Sequence, residues 1–354
     1  MWKNNVLTDL LGIDYPIIQA PMAGAATAEM AAAVSAGGGL GSMGCAQMTM
    51  DEVSANAVAI RAITSKPFNF NFFAHQEPAD YDNVDAEFIA LMTELYQSRG
   101  LGSLPTEMNA GYPSFNQAKL ETLLEIKPAV ISFHFGLPDD AMLQALKQAG
   151  CRLMCSATTV TEARYLESRG MDAVIAQGWE AGGHRGTFEV SNEDFGIGSM
   201  ALIPQIVDAV EIPVVAAGGI ADGRGIAAAI MLGASAVQMG SAFLSCPEAS
   251  LSDSGRKLIA AAQAEDTRLT RAFTGRPARG KNNIYIEAMA RRRFRLPEFP
   301  VMSRFSKPLV QSSEDRGDND FCYQLYGQAA ALNREMSSAG LLATLVEETD
   351  RLLG

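Results

Sequence analysis

Eight short, mostly apolar segments recur along the chain, each followed by a stretch of helical composition. They fall at residues 15–22, 37–42, 67–73, 129–135, 152–157, 173–176, 213–217 and 236–239. A strand covered on both faces loses the alternation of a half-exposed one and reads as a continuous apolar run. Strands that alternate with helices pair in parallel, because a parallel neighbour is reached only by a crossover. Eight such units predict an α/β fold of the (β/α)8, or TIM-barrel, class. The segment PFNFNFF (67–73) does alternate, so Asn69 and Asn71 share one face and the phenylalanines the other.

The sixth segment has the most informative end. AVIAQGWEAGGHRG (173–186) runs from apolar residues into Gln177, then Gly182, Gly183 and His184. Glycine lets a backbone approach a ligand closely, and histidine exchanges a proton near neutral pH. Barrel enzymes place their chemistry at the C-terminal ends of strands. The chain has only 3 histidines, and His184 is a candidate for proton transfer. His134, between two phenylalanines, fits direct chemistry or a hydrogen-bonded lip residue equally, and His75 fits a structural role. The last two segments end in Gly218-Gly219 and Gln238-Met239-Gly240-Ser241. Loops at those places commonly hold a phosphate through backbone N–H groups and a helix dipole, although such glycines can also simply turn the chain. Asn71 and Gln177 end other strands, where a carboxamide suits the mixed edge of a flat heterocycle or caps its own loop.

With 354 residues, 48% hydrophobic, the chain can bury one large core. A net charge of −12 disfavours nucleic acid and anionic membrane as partners. No run of 18 apolar residues predicts a membrane span, and residues 1–16 lack a signal-peptide core, so a cytoplasmic location is expected. Cys45, Cys151, Cys155, Cys246 and Cys322 are odd in number and scattered, which argues against a disulfide framework and a metal site.

The segmentation predicts a barrel over 1–246 with an insertion at about 74–112, after the third strand, containing a helix at 86–99. Residues 247–354 read as a helical cap without strands. It contains Thr274-Gly275-Arg276, a basic run at 291–295, a proline-bounded loop at 296–308 and helices at 321–335 and 341–353.

Taken in order, QAPMAG (19–24), NFFAH (71–75), SFHFGLP (132–138), QGWEAGGHRG (177–186), AAGGIADGRG (216–225) and QMGSAFL (238–244) resemble the nitronate monooxygenase family, formerly 2-nitropropane dioxygenase. The NFFAH and SFHFGLP segments resemble its class I branch, and LYGQAAAL (325–332) in the tail also fits. The resemblance implies an FMN-dependent barrel in which Ala20, Pro21, Met22, Asn71, Gln177, Gly182, Gly183, Gly218, Gly219, Gln238, Met239, Gly240 and Ser241 bind FMN. It implies His184 as the catalytic histidine, cationic or hydrogen-bonding. His134 would line the substrate pocket, and Lys307, in the late loop, would attract the anion. FPVMSRFSKP (299–308) departs from the family pattern, with phenylalanine where tyrosine is expected. The implied reaction is oxidation of an alkyl nitronate such as propionate 3-nitronate by O2 to a carbonyl compound and nitrite. The implied partners are the nitronate, O2 and a second copy of the chain in a homodimer.

Three other enzyme readings and one non-enzyme reading compete. An FMN-dependent enoyl-acyl-carrier-protein reductase or an NAD(P)H:quinone reductase of the same superfamily would need a nicotinamide reductant. An IMP dehydrogenase-like barrel would need a loop cysteine, and none occurs between Cys155 and Cys246. A non-catalytic FMN- or phosphate-binding barrel would act as a partner protein.

Overall fold

The computed structural model describes residues 2–78, 84–106, 112–188, 196–292 and 294–354. The predicted barrel is present. Its parallel strands are β1 (Ile17–Gln19), β2 (Gly41–Gly44), β3 (Phe68–Phe73), β4 (Val130–His134), β5 (Arg152–Ala157), β6 (Ala173–Gln177), β8 (Val214–Ala217) and β9 (Ala236–Met239). The short β7 (Gly183–His184) lies outside the barrel. The ladder runs from β2 round to β9 and β1, and one parallel bridge between Ile18 and Leu40 closes the ring. At this thin seam the Gln19 carboxamide accepts from the Ser42 N–H at 2.9 Å and donates to the Ala20 carbonyl. The second strand starts later than residues 37–42 suggested. Gly38 turns the chain at φ +94, and Gly41 is pressed against Ala31 so closely that a Cβ would collide.

The lower barrel interior is apolar, filled by Ile18, Leu40, Val130, Met154, Ile175 and Val215. Leu7 and Leu11 of a short helix (Val6–Leu11) join them and close that end. Above this layer the interior turns polar. The Asn69 amide donates to Ser42 Oγ (3.2 Å) and Ser132 Oγ (2.9 Å), and Asn71 donates to Ser132 Oγ (2.9 Å). Phe68, Phe70 and Phe72 point the other way, into the layer between strands and helices, but Phe73 falls on the asparagine side, with its ring 6.0 Å from that of His134, which corrects the reading of all the phenylalanines on one face.

Seven outer helices follow the strands in order, from Ala28–Ala36 to Gly223–Met231. The eighth place, between those two, is taken by Ser338–Leu353 from the far end of the chain. Its Leu341, Leu342, Leu345 and Val346 enter the main core.

The helix Ala86–Arg99 has an Asp85 N-cap and ends at Gly100 with φ +68. It packs on Ile284–Ala290 and Met302–Arg316 around a second core that includes Phe88, Met92, Tyr285 and Phe305. Arg99 Nη2 donates to both carboxylate oxygens of Asp318, at 2.6 and 2.8 Å. Insertion and tail thus form one cap.

Three readings of the tail are corrected. It does hold strands: β10 (Thr267–Thr270) and β11 (Ala278–Lys281) pair antiparallel, and β11 pairs with β7. ARGK has weak strand propensity and is held extended by its partners. Residues 296–308 are not all loop, because the helix Met302–Arg316 carries Pro308 within it, where burial of Phe305 and Leu309 outweighs one lost backbone bond. Lys307 is therefore on a helix. Residues 321–335 are not an α-helix. Leu325 bridges to Gly280, the Lys281 N–H donates to the Gln324 carbonyl (2.9 Å), and only Ala330–Leu332 forms a 3₁₀ turn. The loop expected at 191–198 lies mostly outside the described residues.

Candidate active site

His184 is positioned through both its backbone and its ring. In the small sheet it sits opposite Ala278, with Gly183 opposite Arg279. Its Nε2 is 2.9 Å from Thr274 Oγ1, in the turn before β11. Nδ1 has no hydrogen-bond partner among the described residues. Burial first, then the nearby His134 and Arg276, push its pKa down to about 3. Burial and the neighbouring positive charge thus favour the neutral ring.

His134 supports the same turn. Its Nε2–H donates to the His184 carbonyl at 3.1 Å, since a carbonyl can only accept. Nδ1 is then the acceptor facing Ser156 Oγ at 3.0 Å. Both ring nitrogens are engaged, and burial lowers the pKa to about 4. His75 is 4% exposed, stands edge-on to Phe299 at 4.7 Å, and is held to about 4 chiefly by burial, against the opposing pull of Glu77.

Around these histidines stands an aromatic box that the sequence did not single out. Phe73 and Phe135 ring centroids are 4.5 Å apart, and Phe299 lies 5.4 Å from Phe135 and 5.4 Å from Tyr112. The His184 ring is edge-on to Phe73, Phe135 and Phe299 at 5.9, 5.5 and 6.0 Å. Phe135 has φ +74, a left-handed conformation that costs an aromatic residue about 1–3 kcal/mol and is kept where a site requires it. The Arg276 guanidinium lies 4.2 Å over the Phe135 ring. Lys307 is exposed, with Nζ 5.3 Å from the Tyr112 ring, so Tyr112 stands between it and the box.

The other rim residues lie as follows. The Ala20 N–H donates to the Met239 carbonyl at 2.9 Å. A Cβ on Gly240 would meet only Ala20 Cβ (3.6 Å) and Met22 Sδ (3.9 Å), which places residues 20–22 and 239–241 on one stretch of rim. Gln238 Oε1 is buried without a hydrogen-bond donor. Gly218 and Gly219 turn at φ +98 and +76 against residues 178–181. Gly183, at φ +74, has open space where a Cβ would stand. The helix after Gly219 does not offer its first amides, contrary to expectation. Asp222 accepts from the N–H groups of Arg224 (3.0 Å) and Gly225 (3.2 Å), and Glu348 accepts from that of Gly223 (3.0 Å). The Gln177 carboxamide caps its own loop, donating to the His184 carbonyl (2.9 Å) and accepting from the Gly186 N–H (2.7 Å). Gly182 is pressed against Tyr326 and Gly327, and the Gly327 N–H donates to Ser241 Oγ at 2.8 Å. Those glycines let the tail close on the barrel rim.

Among the described residues no group of three or more His, Cys, Asp or Glu side chains could hold a metal ion, the cysteines are free thiols, and no helix is long and apolar enough to cross a membrane. Glycine turns, carboxamides and neutral imidazoles at the C-terminal rim of a (β/α)8 barrel make the framework of an α/β-barrel oxidoreductase.

A model of one family, nitronate monooxygenase, matches residues 4–348. A nitronate monooxygenase of Pseudomonas aeruginosa is 44% identical over 345 residues, covering 96% of this chain and 98% of that one. The crystal structure of nitroalkane oxidase from Streptomyces ansochromogenes superposes with a TM-score of 0.90 at 36% identity, covering 98% of both chains. FabK from Thermotoga maritima superposes at 0.76 with 30% identity, covering 99% of this chain and 97% of that one. The chain belongs to the nitronate monooxygenase family, and is thus a flavin-dependent oxidoreductase.

Proposed function

We propose that the protein binds FMN at the β1, β8 and β9 ends and oxidises small alkyl nitronates with O2, giving a carbonyl compound and nitrite. Gln238 supports the cofactor assignment, because its buried Oε1 lacks a donor that the edge of a flavin ring would supply. The open rim between Met22 and Gly240 and the two left-handed glycines at 218 and 219 suit a phosphate-bearing chain. Asn71, Gln177, Gly182, Gly183 and the 238–241 segment complete the proposed shell, Gln177 and Gly182 acting through the loops they hold. The bound flavin would accept electrons from the substrate and pass them to O2.

The observation that carries the substrate reading is the neutral His184 ring inside an aromatic box that also holds a cation. An imidazole with so little proton affinity is a weak base, so removing the α-proton of a neutral nitroalkane is disfavoured. A nitronate arrives already deprotonated and needs only a hydrogen bond and a positive field. His184 Nδ1–H supplies the former in the tautomer whose Nε2 accepts from the Thr274 hydroxyl. His134 fixes the backbone that carries His184, and Lys307 steers the anion from outside Tyr112. A cytoplasmic location and a homodimer belong to the same reading.

The test is turnover of nitronate with O2 and no NADH, beside NADH with a quinone or an enoyl thioester and no nitronate. Activity in the second arm alone rejects the proposal. His184→Asn is expected to keep the yellow cofactor and lose about 10²–10³-fold in kcat/KM for nitronate.

A further inference from the structure

We infer that Arg276 is the specificity-determining residue of the aromatic box, selecting a small planar oxyanion over its neutral isostere. Its side chain is 4% exposed, and the guanidinium is stacked on Phe135 at 4.2 Å with Phe299 at 5.8 Å. Both phenylalanines also face the His184 ring. Nη1 and Nη2 donate to the carbonyls of Thr187 (2.7 Å) and Phe188 (3.4 Å), which are neutral acceptors. Nε is buried with no hydrogen-bond partner among the described residues. Among those residues no carboxylate lies within ion-pair distance of Arg276. Glu162, whose charge favours the guanidinium, is engaged by Thr158, Thr187 and Phe188, and Arg271 opposes it.

A cation taken out of water without a counter-ion is costly, and a ligand of opposite charge relieves that cost. Burial lowers the Arg276 pKa only to about 10, so it stays charged at neutral pH, whereas His75, His134 and His184 are all held neutral. Arg276 is the cation that acts on all three histidines, joined by Arg185 at His134 and by Lys119 at His75. With Nη1 and Nη2 on carbonyls, the unpartnered Nε–H is the donor left for an oxygen of a nitronate or carboxylate, and the phenylalanine walls suit a short apolar tail.

The inference deepens the proposed substrate class and is tested without turnover. The flavin-loaded protein is titrated calorimetrically with propanoate, the carboxylate counterpart of a small nitronate, and with neutral propanamide. Wild type is expected to prefer propanoate. R276Q is expected to weaken propanoate by about tenfold or more while leaving propanamide unchanged, and R276K to fall between. Equal affinities in wild type, or equal losses for both ligands in R276Q, overturn the assignment. If R276Q does not fold, a propanoate preference reduced but not abolished in R276K decides, and an unchanged preference overturns. A protein that prefers propanoate through Arg276 but turns over no nitronate would sink the proposed reaction and leave this inference standing.

Discussion

At the scale of the residue, His184 is defined by its neighbours more than by its own titration. The Thr274 hydroxyl holds Nε2, the His134 Nε2–H holds the carbonyl, and Ala278 pairs with the backbone. Nδ1 is then the ring atom left to meet a ligand. Thr274→Val keeps the shape and removes the hydrogen bond. We expect kcat with nitronate to fall about tenfold with KM little changed, and Thr274→Ser to restore it, as read by steady-state kinetics. The left-handed Phe135 belongs to the same arrangement, because its turn brings one ring against both His184 and Arg276.

At the scale of the element, the deciding contact is the tail laid across the β6 loop. A methyl group on Gly182 would collide with Tyr326 and Gly327. Gly182→Ala is expected to loosen the tail and speed flavin loss during dialysis, measured by absorbance, while the barrel stays folded by circular dichroism. Much of the element structure was legible. The helix Ala86–Arg99 carries its Asp85 cap and Gly100 stop in its own letters, and the alternation placed Asn69 and Asn71 on one shared face. The tail was less so, for a physical reason. β10 and β11 exist because Gly183–His184 lies beside them, and residues 321–335 are drawn out straight by Gly280 and Lys281. Partners distant in sequence overrode local composition there. The same distance hid part of the site. His184, Gln177 and Gly240 stood out at strand ends, but Arg276, Thr274 and Phe299 reach the pocket from beyond the barrel, with no spacing to mark them.

At the scale of the whole molecule, three neutral histidines near the buried guanidinium groups of Arg276 and Arg185 make stability depend on pH. Each imidazole titrates near 6.5 when unfolded and near 3 to 4 when folded. Above pH 6.5 neither state binds the proton, and no penalty arises. As the pH falls below 6.5 the unfolded chain gains protons that the folded one refuses. Stability is then lost by at most about 1.4 kcal/mol per pH unit for each ring, until the folded rings protonate. Urea midpoints should fall between pH 6.5 and 4, and His75→Phe should flatten part of that slope. Asp318, held to about 2 chiefly by Arg99, loses its contribution in a lower window, as the pH drops from its unfolded value of 3.8 through its folded one of about 2. The ring of outer helices has a different consequence. Because its eighth member is Ser338–Leu353, a growing polypeptide on the ribosome must leave a greasy slot open between the first helix and the seventh until residues 338–353 have emerged. The barrel is thus completed last by its most remote piece, and while it waits that slot is the surface a chaperone would guard.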